Sequence, residues 1–249
     1  MKNLFYYFLL FFFYVSCSTN EAKKQDETEK ITLEVEFLVG NEHLKLLQEY
    51  QNDLGQKYLL ENFKFYLSNF ELESASTNKI FKVEDSYYLF SADREKNIFE
   101  REILVQKGGY NKLNFFIGVD SIKNTSLDNT GDLDISNSMA WDWNTGYKFV
   151  VMEGKYYNNS SDLTSSIPLV FHIGLNPSYK KISFNLDTVD EKGFLDTKKD
   201  KKIVLRVDLN SFFSSPNQID FEAINNIMGK SAILTENYQR DFITLQEIQ

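Results

Sequence analysis

Residues 31–39 read Ile-Thr-Leu-Glu-Val-Glu-Phe-Leu-Val, so Ile31, Leu33, Val35, Phe37 and Val39 alternate with Thr32, Glu34 and Glu36. A period of two puts the apolar side chains on one face of an extended chain and the carboxylates on the other. A strand of that kind must pack its dry face against another layer, and similar segments recur at residues 63–72, 87–90, 99–105, 113–119, 147–152, 167–173, 182–186 and 203–209. Helical spacing is confined to the end of the chain, at residues 221–228 and 231–242, where Leu234, Tyr238 and Phe242 stand four apart. The pattern predicts an all-β chain, a single antiparallel β-sandwich (Ig-like or related) with short C-terminal helices. Gly108-Gly109 lies between two of the strands and reads as a hairpin connection. No repeat of 20–50 residues interrupts the chain, and one domain is expected over residues 31–249.

The chain opens with Lys2, a run of apolar and aromatic residues from Leu4 to Val15, then Ser16-Cys17. That run is short of the roughly 20 residues a membrane-spanning helix needs. A basic start, a short apolar stretch and a small residue describe a secretory signal over residues 1–16. Cys17 is the sole cysteine and falls where a lipoprotein signal is cut, in Tyr14-Val15-Ser16-Cys17. Acylation of Cys17, with palmitate or a similar chain, would tie the protein to the membrane. Residues 17–30 carry almost nothing to bury and read as a polar tether. With no second cysteine there is no intrachain disulfide, and the core must hold the fold unaided. The formal net charge is −9, and removing Lys2 makes it one unit more negative. That field repels phosphate backbones, so a nucleic-acid partner is not expected.

Catalytic chemistry finds few carriers. The chain has 2 histidines, His43 and His172, and shows no nucleophile elbow, phosphate loop or zinc-binding helix motif, so a non-enzymatic protein is expected. Residues 120–137 form a long segment without periodicity, and a connection beyond about 12–15 residues is usually functional or disordered. Aromatic segments flank it, which favours an ordered feature shared with the tryptophans that follow. Within it, Asp128-Asn129-Thr130-Gly131-Asp132-Leu133-Asp134 clusters oxygen ligands, but its glycine is misplaced for an EF-hand and the closing glutamate is missing. Calcium is the lesser metal expectation.

Both tryptophans, Trp141 and Trp143, fall in Met139-Ala-Trp-Asp-Trp-Asn-Thr-Gly-Tyr-Lys-Phe149. In an extended chain they share a face with Met139. Three readings follow: a packing cluster, a sugar-stacking platform, or a soft metal site in which thioether, imidazole and indole suit copper(I). His172 in Ile-Pro-Leu-Val-Phe-His-Ile-Gly stands on the face opposite Leu169, Phe171 and Ile173, whereas His43 falls in a turn and is expected to be exposed.

The ordered segments FKFYLSNFEL (63–72), SYYLF (86–90), GGYNKLNFFIGVDSIKN (108–124), MAWDWNTGYKFVVMEG (139–154), FHIG (171–174), IVLRVDLNSFF and ENYQRDF resemble the MbnP-like copper-binding protein family, in the lipoprotein form found in Bacteroidetes-type bacteria. The resemblance covers residues 31–245, and the tryptophan run followed by Glu-Gly is its most specific part. It implies an envelope protein with a β-sandwich core. Some methanotroph relatives bind copper through histidines and an oxidised tryptophan, and Trp141, Trp143 and His172 match family motif positions. This chain carries Asn124-Thr125 where copper-binding relatives carry Asn-His. The implied function is a cell-envelope lipoprotein, outer-membrane and periplasmic or surface-facing, that binds or handles copper. Its candidate ligands are His172, Trp141, Trp143 and Met139, and its expected partners are the membrane, through a lipid on Cys17, and an envelope metal-uptake protein. The alternative is a surface binding or adhesion module for a glycan, peptide or protein.

Overall fold

The computed structural model describes residues 27–142, 144–158, 165–186 and 194–249. In chain order the first strands are β1 (Thr28–Val39), β2 (Glu42–His43), β3 (Glu49–Gln51), β4 (Lys57–Ser74), β5 (Ile80–Lys82), β6 (Tyr87–Ser91), β7 (Ile98–Gln106) and β8 (Gly109–Ile117). After a long connection come β9 (Lys148–Tyr157), β10 (Ser166–Gly174), β11 (Lys180–Asn185), β12 (Leu195–Asp196), β13 (Lys202–Asp208), β14 (Asn226–Gly229) and β15 (Ile243–Ile248). Two α-helices, α1 (Leu209–Ser214) and α2 (Ala232–Arg240), stand before β14 and β15.

The strands form a β-sandwich. A 5-stranded sheet runs β15-β13-β1-β2 with β7 also on β1; a 10-stranded sheet runs β11-β8-β4-β9-β10-β14, with β12 on β8 and β3, β5 and β6 on β4. Pairing is mostly antiparallel, but β1–β13 and β10–β14 are parallel. The alternation of β1 places Ile31, Leu33, Val35 and Phe37 in the core between the sheets, where Phe37 meets Phe63 of the opposite sheet edge to face at 5.4 Å. Its outward carboxylates pair with the neighbouring strand, Glu36 with Arg206 at 2.7 Å and Glu34 with Lys202 at 3.3 Å.

Strand β4 spans 18 residues and is the spine of the large sheet. Its apolar phase changes twice. Tyr58 and Leu60 face the core, then Phe63, Phe65 and Leu67, then Phe70 and Leu72. Register shifts at Leu60/Asn62 and Ser68/Glu71, the second with Asn69 at φ 52°, absorb one residue each and keep the large side chains inward. The first shift also turns Asn62, Lys64 and Tyr66 to the outer face. Gly154 of β9 accommodates it, since a Cβ there would collide with the Leu59 carbonyl oxygen.

Two local expectations are corrected. Gly108-Gly109 is no hairpin: β7 pairs with β1 in the small sheet, and β8 pairs with β4, β11 and β12 in the large one, so the glycines carry the chain between layers. Residues 221–228 are not helical: turns at 221–223 lead into β14, whose backbone bonds to β10 replace the helical ones. The second predicted helix is present as α2, with Ser231 as its N-cap accepting from the Leu234 N–H at 3.3 Å.

Candidate metal centre on the outer face

The large sheet has a second apolar cluster on its outer face, beyond the sandwich core. Tyr66, Leu89, Val119, Leu133, Met139, Tyr147, Phe149 and Val151 are buried there. The covering layer is the connection between β8 and β9, with three short 3-10 turns at Lys123–Thr125, Gly131–Leu133 and Ile135–Asn137. It is pinned by hydrogen bonds. Asp120 accepts from the backbone N–H of Ile122 at 2.9 Å, from Asn69 Nδ2 at 2.9 Å and from the Tyr87 hydroxyl. The Tyr66 and Tyr147 hydroxyls donate to the carbonyls of Asp132 at 2.8 Å and Leu133 at 2.7 Å. Asn124 Oδ1 accepts from the buried Tyr147 N–H at 2.7 Å. Gly146, at φ +118°, lies too close to Asn124 for any side chain.

The tryptophan segment closes on itself at this layer. The Trp141 and Lys148 amides donate to the Gly146 and Met139 carbonyls at 3.0 and 2.6 Å, and Ala140 bridges Tyr147. Trp141 is buried, its Nε1 donates to the Tyr147 carbonyl at 3.0 Å, and its ring lies on Gly174, where a Cβ would meet ring carbon Cζ2 at 2.8 Å. That packing needs glycine at the end of β10 and brings the indole to His172, with ring centroids 6.5 Å apart and planes at 58°.

His172 projects from β10 on the face of its partner Val151, away from Phe171 and the core. Its Nε2 stands 2.6 Å from Glu153 Oε1, and Glu153 Oε2 accepts from Asn62 Nδ2 at 2.9 Å. Burial works to raise the Glu153 carboxyl, but the hydrogen bonds from Asn62 and His172 and the charges of His172 and Lys148 hold it below its usual value. An ionised carboxylate only accepts, so Nε2 carries a proton toward Glu153, and in the singly protonated ring that a metal binds the lone pair sits on Nδ1. His172 Nδ1 is buried and has no hydrogen-bond partner. A carboxylate that fixes the tautomer and an imidazole with a spare lone pair form the arrangement that prepares histidine for a metal.

The structure thus joins Trp141 to His172. Met139 is fully buried in the outer apolar cluster, and Trp143 and Cys17 lie outside the described residues. His43 is exposed, as expected, but it lies on β2 just past the turn rather than in it. Among the described residues no three His, Cys, Asp or Glu side chains gather where they could hold a metal ion. The acidic segment expected as the lesser, calcium site is used otherwise: Asp132 Oδ2 accepts from the Leu89 N–H at 2.8 Å and faces Arg101 at 3.5 Å, and Asp134 caps the turn at Ser136 at 2.8 Å. A hard-cation cage therefore does not fit this segment, and the Nδ1 of His172 is a donor that a soft, low-coordinate ion could meet. Glu153 and Asn62 were not anticipated. Continuing the alternation of residues 149 and 151 to 153 points Glu153 outward, but only the β9–β10 register brings it to His172.

Beside this face, Asn124, Thr125, Asn144, Thr145, Leu175, Asn176 and Pro177 line a cleft of about 520 Å³. At its edge the Thr125 hydroxyl donates back to the Ile122 carbonyl at 2.8 Å.

Comparison with known proteins agrees with this fold. The fold is similar to that of MbnP from Methylosinus trichosporium, with a TM-score of 0.53 at 16% identity over 83% of this chain and 82% of that one. No curated protein matches the chain. The MbnP family model matches residues 28–229, most of the described sandwich, and the chain belongs to the MbnP family.

Proposed function

We propose that this protein binds and handles copper in the cell envelope, held to a membrane by a lipid on Cys17, and that it works by binding rather than by catalysis. The observation that carries the metal reading is the orphaned, buried Nδ1 of His172 beside Trp141. Copper(I) accepts few ligands and favours imidazole and soft, polarisable donors, which matches a face without a carboxylate cage. His172 would supply the σ-donor, Glu153 and Asn62 would hold its ring and tautomer, and Trp141 would close the site against water. A bound copper(I) ion supplies a transferable cargo, and a metal-uptake protein of the envelope is the natural partner.

Competition of the purified full chain against a chromophoric copper(I) chelator tests this. The wild type is expected to withdraw copper(I) from the chelator, and His172→Ala to lose at least tenfold in affinity. Equal affinity in the two proteins would remove His172 from the site. For the anchor, Cys17→Ser is expected to move the protein out of the membrane fraction, and unchanged partitioning would refute the lipid.

A second reading rests on the neighbouring cleft. Its amide and hydroxyl side chains (Asn124, Thr125, Asn144, Thr145, Asn176) are neutral hydrogen-bonding groups suited to a glycan or peptide. Binding of such a ligand with no copper(I) affinity would favour an adhesion or recognition module.

A further inference from the structure

Strand β14 is the edge of the large sheet, and its parallel register sets Val170 beside Asn226, Phe171 beside Ile227, His172 beside Met228 and Ile173 beside Gly229. Residues paired across a sheet project to the same face, and strands lie about 4.8 Å apart. Phe171 and Ile227 both pack on the core, so His172 and Met228 both project outward. The pairing sets Met228 directly beside His172, while Glu153, paired with Asn62 on β4, reaches His172 diagonally across β9 and β10.

Met228 is unlike the other methionines. The chain has 4; Met139 and Met152 are fully buried, Met1 lies outside the described residues, and Met228 is 52% exposed. A thioether with three rotatable bonds at the rim of a sheet can swing over its neighbour without disturbing the fold. Its sulfur is a soft donor of the kind that selects copper(I), beside an imidazole whose other nitrogen is already held.

We infer that Met228 is the second protein ligand of the soft-metal site, a thioether arm at the solvent side that completes coordination with His172. The inference rests on the copper(I) reading above and adds to it the residue that captures and releases the ion. His172, 12% exposed at its side chain, is the inner ligand, and Met228 is the outer one that meets the incoming ion. Divalent hard cations gain nothing from a thioether, so Met228 also biases the site towards monovalent soft ions.

The test uses the full chain labelled at the methionine ε-methyl carbons and titrated with silver(I), a redox-inert probe of the same softness, and in parallel with copper(I) under a competing chelator. The Met228 methyl, assigned by its loss in Met228→Leu, is expected to shift as the first equivalent of silver(I) is added, while those of Met139 and Met152 stay in place. Met228→Leu is expected to weaken copper(I) about tenfold with an unchanged thermal midpoint, because the side chain is exposed and leucine keeps its volume. Retained copper(I) affinity in Met228→Leu together with a stationary Met228 methyl overturns the ligand role and leaves the His172 site standing. A wild-type protein that takes up neither ion overturns both.

Discussion

The two faces of the large sheet are built on different principles, and Phe65 and Tyr66, consecutive in β4, show it. Phe65 points into the sandwich, stacked near Phe63 and Phe90 with ring centroids at 5.4 and 5.6 Å and edge-on to Phe242 at 5.9 Å. Tyr66 points outward, meets Tyr147 edge to face at 5.9 Å and spends its hydroxyl on the Asp132 carbonyl. The interior is held by apolar burial, which is non-directional and tolerant of small shifts. The outer cluster has a handful of apolar residues under a long connection whose shape is set by backbone N–H groups donating to Asp120 and Asn124 and by Asn129 and Asn137 donating to backbone carbonyls. Directional bonds fix positions more closely than burial does, and the outer face is where Trp141 must meet His172. The fold resides in one layer and the candidate site in the other.

The largest effect should come from the interior. Phe65→Ala removes a fully buried ring from the centre of the aromatic packing and is expected to cost about 3–5 kcal/mol, a large share of a typical domain's stability. Urea unfolding should show a lowered midpoint with the slope retained. A cost below about 1 kcal/mol would mean that the outer layer carries more of the stability than the packing indicates.

Asn124→Ala separates the layers. It leaves the buried Tyr147 N–H without its acceptor, an expected loss of about 1–3 kcal/mol. The loss should be local. Amide hydrogen exchange is expected to rise over residues 120–147 while β1 and β13 keep their protection. Uniform loss of protection would show the layers to be one cooperative unit and would break the comparison.

The two layers were unequally legible in the sequence. Alternation located eight later strands and the facing of His172, because a half-buried strand writes its burial into its own residues. It could not reveal pairing between distant strands. Residues 221–228 fit a helical period, yet 226–229 became an edge strand, and Gly108-Gly109 looked like a turn while carrying the chain across the sandwich. Met228 was invisible for that reason, since its place beside His172 exists only in the β10–β14 register. In the outer layer, the length of residues 120–137 and its aromatic flanks showed that the segment is organised. Which oxygen meets which N–H depended on tertiary contacts no spacing encodes, so the acidic run was read as a lesser metal site when Asp132 is a loop anchor and Asp134 a turn cap.

The smallest effect, and the one that isolates the outer layer's electrostatics, lies in the acid range. Burial works to raise the Asp120 carboxyl, but hydrogen bonds from Tyr87, Asn69 and the backbone N–H groups of Lys123 and Ile122 outweigh it and hold the group below the usual carboxylate range. Burial, reinforced by the bond to Asp120, raises the Tyr87 phenol, so it remains the donor through neutral pH. A carboxylate with a depressed folded value adds stability that is fully present above its unfolded value of about 4 and is lost as pH falls through the folded value. Asp120 is partly exposed, so solvent screening keeps its contribution below about 1 kcal/mol. The wild type should therefore loosen over residues 120–147 as pH drops below about 4. Asp120→Asn should already be looser at neutral pH and should respond less across that acid window. Hydrogen exchange of the covering connection, compared between the two proteins at several pH values with β1 as internal reference, measures this. If the variant retains the full acid response of the wild type, another carboxylate on the outer face governs it, and Glu153, held low by Asn62 and His172, is the next to substitute.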